Sequence, residues 1–76
     1  MEELLTYIVK SLVDQPDDVN IKTVEGEKTI IMELKVADDD VGKVIGKHGK
    51  TINAIRTIVK SAMNKESKKV MVEILQ

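Results

Sequence analysis

The sequence has no cysteine, tryptophan or phenylalanine, and it contains one proline, one histidine and one tyrosine. Without cysteine there are no disulfides, no thiolate catalysis and no cysteine-ligated metal sites. The single aromatic residue, Tyr7, excludes a surface that stacks nucleic-acid bases on several aromatic side chains, as RRM and many OB-fold proteins do. No stretch approaches the roughly 20 apolar residues that cross a bilayer.

The amino terminus begins with acidic residues and shows helical periodicity, which is not the pattern of a signal peptide. A length of 76 residues fits a single domain. We therefore expect one domain over residues 1–76, located in the cytoplasm and not associated with a membrane.

The net charge is −1, but it is unevenly placed along the chain. Residues 1–40 carry four lysines against eleven acidic residues, a net charge of −7, whereas residues 41–76 have a net charge of +6. Residues 41–65 contain no acidic residue. This asymmetry predicts a localised basic face. The alternative is an ordinary solvated surface over which folding scatters these charges.

Apolar periodicity predicts the elements of the first half. Residues 2–13 place apolar side chains on one helical face, and residues 19–24 resemble a strand. Gly26 supplies a turn into a second strand, in which Ile30, Met32, Leu34 and Val36 alternate with polar residues. One of the aspartates at 38–40 should then cap a short helix that carries Val41, Val44 and Ile45.

The second half continues with a longer helix to about residue 64, an exit loop at 64–69 and a last strand at 70–74. The order is α-β-β-α-α-β. The helical connection is long enough for a right-handed crossover, so the last strand should lie parallel to the second, with all helices on one face of the sheet.

The segment VIGKHGKTIN, residues 44–53, predicts a tight turn between two helices. Gly46 and Gly49 allow positive φ and close approach of another backbone, while Lys47 and His48 lie at the tip. A helix that begins near Lys50 directs free N–H groups and its positive dipole end into the turn, which favours a phosphate. A Gly-x-x-Gly alone is equally compatible with a helix corner in which the glycines only break the chain.

The longer segment VIGKHGKTINAI resembles the core signature of the KH (hnRNP K homology) RNA-binding domain. The surrounding order of elements resembles the type II, or bacterial, arrangement, and the whole chain is similar to stand-alone KH proteins of the bacterial KhpA (YlqC) family. The resemblance implies an α+β fold, with three helices on one face of a three-stranded mixed sheet. It also implies binding of single-stranded RNA, without catalysis and without a cofactor.

The resemblance assigns roles around the turn. Gly46 and Gly49 would admit the sugar–phosphate backbone, and Lys47 and His48 would contact phosphates. Further positive charge would come from nearby side chains, namely Lys43, Lys50, Arg56 and Lys60. An apolar groove for the bases would be formed by Ile45, Ile52 and one edge of the second strand.

The resemblance further implies an RNA chaperone or post-transcriptional regulator that acts with a larger KhpB-type partner and is linked to cell shape and peptidoglycan homeostasis. The alternative is a protein adaptor with incidental RNA binding. Ala54 and Ile58 widen the apolar arc of the helix after the turn to about 180°, more than packing on a core requires. They predict a homodimer, unless the first helix or the sheet covers them within the monomer.

Other chemistry fits poorly. Gly49-Lys50-Thr51 resembles the end of a P-loop, but the first glycine of that motif would stand where Val44 is. Three consecutive aspartates at 38–40 point in different directions, so they do not predict a metal site. His48 has no partner placed beside it that would make it a base or ligand. We expect no enzymatic activity and no bound metal.

Overall fold

The computed structural model describes residues 1–63 and 67–75. Its elements have the predicted order α-β-β-α-α-β. The helices and strands are α1 (Glu2–Leu12), β1 (Asn20–Glu25), β2 (Thr29–Lys35), α2 (Val41–Ile45), α3 (Lys50–Ala62) and β3 (Lys69–Ile74). Single 3-10 turns lie at Pro16–Asp18, Asp38–Asp40 and Lys47–Gly49.

The three strands form one mixed sheet in the order β1-β2-β3. β1 and β2 are an antiparallel hairpin, whose turn is closed by the Gly26 N–H donating to the Thr29 carbonyl at 2.8 Å. β3 is parallel to β2, with Met32 beside Val72, so the predicted parallel pairing is confirmed. β2 is therefore the central strand, and the outer edge of β3 is free within the described residues.

The core lies between one sheet face and the three helices. Alternate residues of β2 and β3 are buried, and each helix contributes side chains to the same cluster. The buried side chains of the strands are Ile30, Met32, Leu34, Val70 and Val72, and those of the helices are Leu5, Val9, Val44, Ile52, Ile55 and Val59. Burial of these side chains is the main favourable contribution to folding, at roughly 1.5–3 kcal/mol for each large one. The α+β fold is the predicted one.

Element boundaries differ slightly from the predicted ones. The backbone becomes extended at Val13, which ends α1 at Leu12, and β3 begins at Lys69 rather than at residue 70. The predicted exit loop at 64–69 falls partly outside the described residues, which omit 64–66. Within the part of the chain that the structure describes, no helix is long and apolar enough to cross a membrane.

Candidate nucleic-acid interface

The glycine turn joins α2 to α3 through a backbone with repeated positive φ. Gly46 has φ 75° and ψ 172°, His48 has φ 57°, and Gly49 has φ 74°. The N–H of Gly49 donates to the Gly46 carbonyl at 3.1 Å, and α3 begins at Lys50 as predicted. Histidine rarely adopts positive φ, so the turn is held in place by the two helices on either side.

The two glycines have different surroundings. A Cβ placed on Gly46 would lie 2.2 Å from the hydroxyl oxygen and 2.9 Å from the backbone nitrogen of Thr51. A Cβ on Gly49 would meet only the side-chain nitrogen of Asn53, at 3.8 Å. Gly46 is therefore required by packing within the turn, whereas the surface at Gly49 is open to a ligand.

The tip of the turn presents free positive charge and free backbone donors. Lys47, His48 and Lys50 are exposed, and among residues 1–63 and 67–75 none of their side chains takes part in an ion pair or a hydrogen bond. Among the backbone hydrogen bonds of the same residues, none is donated by the N–H of Lys47 or His48. These donors lie beside the N-terminus of α3, where the helix dipole also favours an anion.

Lys43 has different neighbours. Its ammonium group forms ion pairs with Asp14 and with Asp40, the latter at 3.4 Å. The hydrogen bond with Asp14, followed by that with Asp40, raises the pKa of Lys43. The structure thus places the predicted RNA-binding charge of Lys43 against two carboxylates.

Asp40 does not cap α2 as predicted. It occupies the N-cap position, but its side chain makes no cap hydrogen bond there, and it is 0% exposed. Its carboxylate instead accepts hydrogen bonds from the backbone N–H groups of Asp14, at 3.1 Å, and Gln15, at 3.0 Å. Burial alone would raise the pKa of Asp40, but these two bonds and Lys43 together hold that pKa below its usual value. Among the described residues, no group of three potential ligands could hold a metal ion.

A groove runs between α3 and the free edge of β3. It has a volume of about 210 Å³ and is lined by Arg56, Lys60, Lys69 and residues 70–73. Arg56 crosses it: the Nε group donates to the Val72 carbonyl at 3.1 Å, and the guanidinium donates to the Asn53 side-chain oxygen at 3.3 Å. Both a cationic wall and a strand edge are therefore available to a ligand that lies along α3.

The apolar groove predicted from the resemblance requires two corrections. The second strand cannot offer a free edge, because β1 and β3 are hydrogen-bonded to its two sides; the strand beside the groove is β3. Ile52 faces the sheet with Ile55 and is 5% exposed, which leaves it almost no surface for a ligand. Ile45 is half-buried.

Three participants were not predicted from the sequence. Asn53 and Lys69 carry no motif of their own, although Asn53 follows Gly49 by four residues and thus shares its helical face. The Val72 carbonyl is a backbone group, which only the position of β3 at the sheet edge exposes.

Residues 2–74 match the family model described as KhpA/KhpB, KH domain. The chain belongs to the KhpA/KhpB KH-domain family. It is 59% identical to RNA-binding protein KhpA of Clostridium perfringens over 99% of this chain and 100% of that one. It is 53% identical to RNA-binding protein KhpA of Chlamydia trachomatis, over 100% of this chain and 97% of that one. The family is not enzymatic.

One solved structure has a similar fold. It is a crystal structure of Era in complex with MgGDPNP and nucleotides 1506–1542 of 16S ribosomal RNA. The TM-score is 0.58 at 17% identity, and the match covers 96% of this KH domain and 30% of the Era chain. At this identity the likeness concerns the fold alone.

Proposed function

We propose that this KH domain binds single-stranded RNA, with the glycine turn on the sugar–phosphate backbone and the bases in the groove between α3 and β3. One observation supports this most strongly: the open turn and the cationic groove lie on one continuous face of α3. Gly49, Asn53, Arg56 and Lys60 follow one another at helical spacing along that face. The stretch is about 16 Å long at 1.5 Å per residue.

Each part of this face has a role that its chemistry allows. Lys47, His48 and Lys50 attract phosphates, and the open side of Gly49 lets the backbone approach. Arg56 and Lys60 continue the positive charge into the groove. The edge of β3 offers backbone hydrogen-bonding groups to base edges, which suits a protein without stacking aromatics. A KH domain clamps about four nucleotides in this manner.

The test is to change Lys47 and His48 together to Asp. RNA affinity should fall below detection while the helical circular dichroism is unchanged, because both side chains are exposed and contact nothing in the core. A matched control, Lys10→Asp with Lys28→Asn, alters the net charge equally on α1 and the hairpin and should bind normally. Unchanged affinity in the loop variant would refute the proposed site.

The cellular role that follows is that of an RNA chaperone or post-transcriptional regulator acting with a KhpB-type partner and affecting cell shape and peptidoglycan homeostasis. Family membership supports this role. Crosslinking the protein to RNA in its own cells and sequencing the attached RNA would identify the targets. Cells that carry only the Lys47→Asp/His48→Asp variant should have the same shape defect as cells without the protein.

The exposed face of α3 also favours a protein-binding function. Ala54 and Ile58 are both exposed, and Ile58 has 45% of its surface accessible. Neither α1 nor the sheet covers them, so the predicted alternative of burial within the monomer is wrong. We propose that this face pairs with a second copy of the chain or with the KH domain of a KhpB-type partner.

A further inference from the structure

Asp40 is the only charged side chain that is buried among the described residues. Its two carboxylate oxygens accept hydrogen bonds from two consecutive backbone N–H groups, those of Asp14 and Gln15, which lie about 25 residues earlier in the chain. The bonds connect the residue immediately before α2 to the segment immediately after α1. A buried carboxylate with these partners is a specific tether, because an unpaired one would be strongly unfavourable.

α2 depends on such a tether. It has five residues, about 7.5 Å of helix, and a helix of that length is not stable alone. Only Val44 among its side chains is fully buried. The helix ends at Gly46, where the N–H donates to the Gly42 carbonyl at 2.9 Å and the turn begins. The direction of α2 therefore fixes where the turn lies.

Lys43 supplies a second connection from the next part of α2. Its ammonium group contacts Asp14 and Asp40 together, so both ends of this short helix are tied to the segment after α1. The two carboxylates neutralise its charge locally. This arrangement suits a structural tie better than a phosphate ligand.

We infer that Asp40 is a positioning residue for RNA binding, which, with Lys43, orients α2 and thereby presents the glycine turn to the RNA backbone. The inference rests on the proposed function at that turn. It assigns Lys43 to the support of the site rather than to contact with phosphates.

The test compares Asp40→Asn with Ile30→Ala, a core variant at the opposite end of β2. Both are measured at a temperature at which they are fully folded. In Asp40→Asn the amide resonances of residues 46–49 should shift and RNA affinity should fall about tenfold, because binding geometry is set by such supporting contacts. Ile30→Ala should leave both unchanged. Unmoved turn amides, or an affinity equal to that of Ile30→Ala, would overturn the inference.

Lys43→Met keeps the inference testable if Asp40→Asn does not fold. Lys43 is 43% exposed, so its replacement spares the core. The turn amides should shift and affinity should fall while the dependence of affinity on salt stays that of the wild type. A phosphate contact would instead reduce the salt slope by about 0.7, and that result would contradict the inference. The amide shifts require no RNA, so they separate failure of this inference from failure of the proposed function.

Discussion

Gly46 and Gly49 both have positive φ, yet substitution should affect them to different degrees. Alanine at Gly49 gains only the left-handed backbone, which costs about 1–2 kcal/mol. Alanine at Gly46 adds a collision with the backbone and side chain of Thr51 to the same strain. We expect Gly46→Ala to lower the free energy of unfolding by clearly more than Gly49→Ala, measured by urea denaturation.

Asparagine at Gly49 provides the control, because it tolerates positive φ better than alanine. Gly49→Asn should recover much of the stability that Gly49→Ala loses while still adding a side chain to the open surface. Equal stability of the two alanine variants would show that the contact with Thr51 does not constrain Gly46.

At this scale, the sequence predicted the residues of the turn but not all of their surroundings. Positive φ at two glycines follows from their lack of a Cβ and is local. The burial of Asp40 depends on Asp14 and Gln15, which are distant in the chain, so an Asp-Asp-Asp run before a helix was interpreted as a cap. The core position of Ile52 was implied by its helical phase with Ile55 and Val59, but the resemblance assigned it to the groove.

Among the elements, the segment between α1 and α2 should respond to pH through Asp40. The charged groups that face this carboxylate are Lys43 and, beyond it, Asp14, while Asp38 and Asp39 are exposed on the same turn. The pKa of Asp40 is lower in the folded protein, so its stabilisation is present above its ordinary value of about 3.9. That stabilisation is lost as the pH falls through the folded pKa.

The expected outcome is that Asp40→Asn is less stable than the wild type at neutral pH and that the difference shrinks below about pH 4. Urea denaturation of both proteins across acidic pH measures it. Asp39→Asn, on the same turn but exposed, should follow the wild-type curve. A constant difference between Asp40→Asn and the wild type would show that the carboxylate charge is not involved.

The elements themselves were largely predictable because alternation and helical period are local signals. Ile30, Met32 and Leu34 alternate with polar residues, and the helical connection determined the parallel pairing of β3. The strand beside the groove was wrong for a physical reason. A strand that pairs on both sides has no free edge, and the resemblance was applied to β2 without this constraint.

For the whole molecule, positive charge is concentrated at the turn and along the groove despite a net charge of −1. If Lys47, His48 and Lys50 neutralise roughly three phosphates, the slope of log affinity against log salt should be near −2, at about −0.7 per phosphate. Titrations at several salt concentrations measure it. The slope should approach zero for any residual binding by the Lys47→Asp/His48→Asp variant. A flat response of the wild type would contradict a phosphate-binding face.

Exposed apolar side chains are concentrated on the helical side of the molecule. Among the described residues, five of the seven large ones are on α3, on α1 or at its cap, namely Met1, Leu4, Tyr7, Leu12 and Ile58. α1 and α3 pack against each other. A small domain gains stability by covering such a surface, so we expect a dimer through this face.

Ile58→Asp tests the dimer, because it places a charge at the centre of the face without opening the core. The variant should be a folded monomer by light scattering, with the chemical shift dispersion of the wild type. Val24→Asp is the matched control, since Val24 is 43% exposed, close to the 45% of Ile58, but lies on the edge strand β1. It should remain dimeric, because removing exposed apolar surface away from the helices leaves the interface intact. A wild-type protein that is monomeric at high concentration would exclude the homodimer and leave a KhpB-type KH domain as the partner for this face.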